Sequence, residues 1–179
     1  LSSGTLIGDL AVLFGLKSRG TYRTLSHIEI LKIPAILFKE FVNRNKLLNQ
    51  LQKTLEAIEF LQQTWLFGES ISSPIQCQIA QSLTLAKFKK GEKIECDGLM
   101  LVKEGKVELS SRGKDKTESQ HVVGKGDFWG GEKMNSSEAK CSYAKAITQT
   151  MIYSITDIEI LRQIPIIRWK LLEQSEKRE

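Results

Sequence analysis

A long internal repeat constrains this chain more than any other feature. Gly4 and Gly126 share an offset of 122 residues with Gly8 and Gly130 and with Ile33 and Ile155, and Thr21-Tyr22 matches Ser142-Tyr143 at 121. That period far exceeds the roughly 20–45 residues of a solenoid unit and fits a duplicated domain. A chain of 179 residues cannot hold two complete copies of such a unit. The spacing therefore predicts one full copy preceded by the C-terminal part of another, whose earlier strands lie outside the chain.

The hydrophobic pattern fills in the elements. Asp9 to Phe14 is a short apolar run of helix formers. Tyr22 to Ile33 mixes β-branched and polar residues and reads as strand, turn, strand. Pro34 suits a helix start. Beyond it Leu37, Phe41, Leu48, Leu51, Leu55, Ile58 and Leu61 recur at helical spacing up to Gln63, with a break expected at Asn43-Arg44-Asn45. Pro74 to Leu83 reads as a further amphipathic helix, and Leu85 to Leu109 as strands joined by glycine turns at Gly91, Gly98 and Gly105. Arg112 to Ser119 is a polar hairpin tip. Ala144 to Ile155 returns to strand, with Ile147, Met151, Tyr153 and Ile155 on one face. Asp157 is the expected N-cap of a terminal helix that Pro165 interrupts or restarts. Trp129 and Trp169 are expected in the core, Trp65 at a helical interface between the copies, and the charged tail from Gln174 frayed.

Composition limits the function. The net charge of +5 tolerates anionic ligands without establishing nucleic-acid binding. The densest basic run, Lys87, Lys89, Lys90 and Lys93, has no groove-reading motif beside it and reads as a solvated strand edge. Cys77, Cys96 and Cys141 are scattered, and His27 and His121 stand far apart, so neither a zinc site nor any other metal site is expected. The thiols suit a reducing, cytoplasmic setting. No apolar run approaches the ~20 residues of a membrane span. No nucleophile–base pair points to catalysis.

Two stretches concentrate the remaining chemistry. The first is Gly8-Asp9-Leu10-Ala11, a short helix, then Arg19-Gly20-Thr21-Tyr22. It resembles the phosphate-binding cassette of cyclic-nucleotide-binding domains, whose pattern is Phe-Gly-Glu-Leu-Ala, a short helix, Pro-Arg and Ala-Thr-Val. "IEILKI" (28–33) and the helix after Pro34 follow the family's order. "FLQQTWLF" (60–67) is similar to its entry into a next domain, and "FKKGEKI" (88–94) and "LVKEGKVEL" (101–109) are similar to its early strands. Tandem copies of this kind resemble the regulatory region of cyclic-nucleotide-dependent protein kinases. The resemblance implies an α+β fold: an antiparallel β-roll with flanking helices, preceded by the C-terminal part of another copy. Residues 1–50 would hold the partial copy with its connecting helix, and 51–179 the second, degenerate copy.

It also implies a ligand, cAMP or cGMP, and a kinase catalytic domain as partner in cis or in trans. The helix after Gly8 would offer unpaired N–H groups and its positive end to the cyclic phosphate. Arg19 would add a forked, charge-assisted contact, Asp9 would accept from a ribose hydroxyl, and Gly8, Leu10, Ala11, Gly20 and Thr21 would complete the site. The cassette departs from the pattern in three places. Asp9 is one methylene shorter than the family's glutamate, Lys17 and Ser18 occupy the Pro-Arg positions, and Arg19 comes one place late. The second stretch, "GDFWGGEKMNSSEAKCSYAKA" (126–146), offers Gly131, Glu132, Lys140 and Ser142. It has ten residues from acid to hydroxyl instead of twelve, and Ala139 at the arginine position. The expectation is a regulatory sensor whose second copy has lost ordinary nucleotide binding. The alternative is a ligand-free docking module.

Overall fold

The computed structural model describes all residues except 1–3, 19, 70, 97, 113–117, 131–142 and 178–179. The N-terminal region carries α1 (Asp9–Phe14), α2 (Ala35–Arg44) and α3 (Leu48–Gln62). The expected break between the last two falls at Asn45–Leu47, where Lys46 takes a left-handed φ of 56° and the Asn45 amide donates to the Phe41 carbonyl at 2.8 Å. Next come α4 (Ser73–Ser82), β1 (Thr84–Phe88), β2 (Lys93–Ile94), β3 (Leu99–Glu104) and β4 (Val107–Arg112). They are followed by β5 (Glu118–Val123), β6 (Phe128–Trp129), β7 (Tyr143–Ala146), β8 (Thr150–Ile155), α5 (Ile158–Arg162) and α6 (Pro165–Lys177).

The eight strands form two antiparallel sheets, ordered β1-β8-β3-β6 and β2-β7-β4-β5. This is the expected α+β roll with helices at its flanks. β3 and β8 form the wall between two cores. Leu99 and Leu101 of β3, with Tyr153 and Ile155 of β8, face a cluster built by α3, α4, α5 and α6 around Leu61, Leu66, Phe67, Ile79 and Ile167. Met100, Val102 and Ile152 face the interior of the roll, filled by Ile94, Val107, Leu109, Trp129, Ala144 and Ala146. A buried polar side chain holds the turn between α3 and α4. The Gln76 amide donates to Phe67 O at 2.8 Å and Gly68 O at 3.1 Å, and its oxygen accepts from Gln62. Such full pairing is what a buried amide requires.

Four expectations fail, each for a physical reason. Residues 22–33 form no strand and their side chains are exposed. A strand needs a ladder partner, and among the described residues none runs beside this segment. The counterpart segment forms β7, between β2 and β4, and β8, between β1 and β3. The single buried parity expected for 147–155 is also wrong, because Ile152 is fully buried on the roll side while Met151 is only half-buried. Trp169 is 59% exposed, since α6 turns Ile167, Lys170 and Leu171 inward instead. The tail stays helical to Lys177. Trp129 is buried as expected, and Asp157 caps α5 by accepting from Glu159 N.

Three backbones converge at Gly98, Gly130 and Ile155. A Cβ on Gly98 would lie 2.1 Å from Ile155 O, and one on Gly130 would lie 2.2 Å from Gly98 O. Gly98→Ala is expected to cost about 3 kcal/mol or more, since it adds overlap to the strain of a φ of 102°. Gly91→Ala, at φ 88° in open space, should cost only about 1 kcal/mol. Urea unfolding of the two variants checks the difference.

An ion pair ties α3 to this wall. Lys103 on β3 lies 3.6 Å from the Glu56 carboxylate and over the Tyr153 ring. Burial opposes its charge, but Tyr153 and Glu56 outweigh that and raise its pKa above the ordinary 10.5. A raised folded pKa contributes stability fully below 10.5 that is lost as pH rises through the folded value. Glu56→Gln should move the Lys103 titration down towards its ordinary value, as read by NMR of the side-chain amine.

Candidate functional site

The first cassette is built by local rules. Gly8 precedes α1 with a left-handed φ of 84°, and its carbonyl accepts from Val12 N at 2.9 Å. Gly15 ends the helix, again left-handed at φ 66°, and donates its N–H to Ala11 O. No Cβ would be obstructed at either position, so the positive φ is what calls for glycine there. The glycines that carry the repeat share this geometry: Gly4 and Gly126 have φ of 81° and 88°, Gly8 and Gly130 of 84° and 86°.

Leu10 is the anchor. It is the buried residue of α1 and joins the apolar cluster that holds Ala57, Ile58 and Leu61 of α3, with Phe14 packed beside it. Gly8, Asp9, Leu10 and Ala11 open on a cleft of about 870 Å³. Its other wall comes from Ile58 and from Ser73, Pro74, Ile75, Cys77, Gln78 and Gln81 of α4. Lys17, Ser18 and Tyr22 complete it. Ser18, at the arginine position, turns onto its own loop, its hydroxyl donating to Gly20 O at 2.8 Å.

The structure thus brings Gly8, Asp9, Leu10 and Ala11 to one cleft. Gly20 and Thr21 are exposed and do not line it. Arg19 and the whole second set, Gly131, Glu132, Lys140 and Ser142, lie outside the described residues. The α4 wall escaped sequence reasoning, because its helical pattern carries no sign of what it faces. Among the described residues no group of His, Cys, Asp and Glu is placed to hold a metal ion, and no helix is long and apolar enough to cross a membrane.

A second arrangement ties the C-terminal helix to the start of the second cassette. Lys170 of α6 is buried, donates to Trp65 O at 2.6 Å and sits 5.1 Å from the Trp65 ring centre. The Trp65 ring in turn stacks on Phe128 of β6 at 6.3 Å, with 3° between the planes. Trp65 therefore bridges α6 and the roll, and is half-exposed.

The arrangement of the sheets and helices matches solved structures. A regulatory subunit of a cAMP-independent protein kinase A from Trypanosoma brucei superposes with a TM-score of 0.60 at 21% identity, over 70% of this chain and 48% of that one. The roll has the cyclic-nucleotide-binding-domain fold. The regulatory domain of the Toxoplasma gondii protein kinase A, solved with cAMP, shares this fold with a TM-score of 0.60 at 15% identity, over 70% of this chain and 51% of that one. In sequence, a cGMP-dependent protein kinase of Drosophila melanogaster (isozyme 2, forms cD5/T2) is 21% identical over 94% of this chain. The chain spans only 19% of that kinase and about half of the solved chains. No family model matches.

Leu10→Ala should release α1 from the helical cluster at a cost of about 2 kcal/mol. Hydrogen exchange of the α1 amides should then speed up roughly thirtyfold. Leu25→Ala, at a side chain 98% exposed, should leave it unchanged.

Proposed function

We propose that the chain is a regulatory sensor module of a cyclic-nucleotide-dependent protein kinase, working inside the cell and carrying no catalysis of its own. Residues 1–50 are the C-terminal part of a first nucleotide-binding copy, and 51–179 are a second copy that does not bind nucleotide in the ordinary way. The ligand is cAMP or cGMP, and the partner is a kinase catalytic domain in cis or in trans. One observation carries this reading. The helix of the first cassette lines a large cleft, and its Leu10, at the edge of that cleft, is planted in the apolar cluster of the connecting helix.

That arrangement supplies a mechanism by linkage. A ligand seated against Gly8 and Asp9 favours one position of α1. Through Leu10 it favours one packing of α3 against the roll, and hence one presentation of the surface that a catalytic partner meets. The kinase relatives and the shared fold support this context. Asp9, which lines the cleft, would accept from a sugar hydroxyl, and Lys17 and Arg19 are the cations nearest in sequence to the helix start.

Exposed apolar side chains favour a second reading, a ligand-free docking module. Leu25 and Leu31 are 98% and 94% exposed, and Ile30 and Ile36 follow at 73% and 68%. A partner would cover such a stretch.

Calorimetric titration of the complete protein with cAMP, cGMP and guanosine separates the readings. A sensor gives saturable heat with a cyclic nucleotide, and Asp9→Ala weakens it by about tenfold or more. Heat with guanosine alone would mean that sugar and base are read without the phosphate. Absence of heat with every ligand at millimolar concentration would leave the docking module standing.

A further inference from the structure

The topology gathers lysines that the sequence scatters. β1 and β2 are joined by a turn at 89–92, β3 and β4 by one at 105–106, β5 and β6 by one at 124–127, and β7 and β8 by one at 147–149. All four turns lie at the same end of the roll. Gly91 N donates to Ala146 O at 2.7 Å, Ile147 N to Lys106 O at 3.0 Å, and Gly126 N to Val102 O at 2.9 Å. The Lys106 N–H donates to the Thr148 hydroxyl at 2.9 Å. The tips carry Lys89, Lys90, Lys106 and Lys125, and the adjoining strand ends carry Lys87, Lys93 and Lys145. All but the half-buried Lys145 are exposed.

The acids at this end offset only part of that charge. Glu92 accepts from its own turn, at Lys89 N, and Asp127 from Gly124 N at 2.8 Å. Glu108 faces Lys145 across the β4–β7 ladder, and Glu104 ends β3. Among the described residues the ion pairs are Lys103–Glu56 and Arg162–Glu159, so none of the seven lysines is in one. Lys93 and Lys145 stand directly opposite each other on β2 and β7, a like-charge pairing that weakens a sheet. Lys93 lies 5.3 Å from the Tyr143 ring centre and Lys145 faces Glu108, but no such contact accounts for the lysines of the turns.

We propose that this end of the roll is a docking surface for an acidic protein segment. Three of the four tips carry lysines and all hang on one hydrogen-bonded ladder, so the charges present a fixed positive field that a carboxylate-rich segment complements and that speeds its encounter. The turns carry no exposed large apolar side chain for insertion into a lipid surface. Among the described residues the connections at this end are short turns, with no helix to enter a nucleic-acid groove. None of these lysines lines the cleft of the first cassette, so the surface works whether or not that cleft takes a ligand.

The test uses the whole chain and a labelled peptide of alternating glutamate and glycine, followed by fluorescence anisotropy. Binding should weaken as salt rises. It should fall by about tenfold or more in the combined variant Lys89→Gln, Lys90→Gln, Lys106→Gln, Lys125→Gln, with the thermal midpoint unchanged. The variant Lys39→Gln, Lys53→Gln, which removes exposed charge from α2 and α3, should bind as the parent does. Chemical-shift changes on adding peptide to the parent chain should centre on 89–93, 105–106 and 124–127. Equal losses in both variants, shifts centred elsewhere, or tighter binding to duplex DNA or to phosphatidylserine vesicles than to the peptide would overturn the proposal.

Discussion

Everything in this fold leans on β3 and β8, because both must be apolar on both faces. Neighbours in one sheet, they separate a roll core from a helical core, and each sends alternate side chains into the two. The run Leu99-Met100-Leu101-Val102 is buried without interruption as a result. Take away the roll and Met100, Val102 and Ile152 face water; take away the helices and Leu99, Leu101, Tyr153 and Ile155 do. At ~25 cal/mol per Å² of apolar surface, neither exposure is sustainable in a domain of this size. The helices are thus as much part of the fold as the strands, and any shift of α3, α4 or α6 is felt in the sheet that carries the second cassette's approach strand.

That coupling has two visible contacts. On one side Lys103 binds β3 to Glu56 of α3. On the other, Lys170 holds α6 against Trp65, which stacks on Phe128. A buried ammonium is costly unless satisfied, so Lys170 keeps its place only while the Trp65 carbonyl is there to accept from it. α6 and β6 therefore respond to the same turn, residues 63–69, which Gln76 and Thr64 hold from within.

What was legible in the sequence was what local chemistry decides. Glycines at matching offsets take matching left-handed φ, a conformation that glycine alone adopts without strain, so the turn is marked by the residue itself. The helix break at Asn45 and the Asp157 cap are local in the same sense. What was not legible depends on partners distant in sequence. Residues 22–33 have the composition of strands, yet lack a ladder. The α4 wall of the cleft lies some way along the chain from the cassette it faces. The lysines of the roll's end come from separate turns, and only the run at 87–93 stood out as a cluster. Trp169 misled because an aromatic in an amphipathic helix usually points inward, whereas Ile167, Lys170 and Leu171 took those positions.

The two segments related by the repeat isolate what a domain's environment contributes. Leu6 and Ile7 occupy the positions of Phe128 and Trp129, but they are about half exposed where their counterparts are 5% and 1% exposed. Tyr22 to Ile33 is coil where Tyr143 to Ile155 is two central strands. Only the cassette helix persists in the first segment, and its survival has a simple account. Its hydrogen bonds are all within six residues, its ends are set by Gly8 and Gly15, and Leu10 is buried in the cluster that α3 and α4 build. Strands cannot borrow in this way, because each needs a continuous ladder along its length. A helix satisfies its own backbone and needs only a packed face, here Leu10 with Phe14, to hold it. The helix α1 is accordingly organised from the side of α3 and α4.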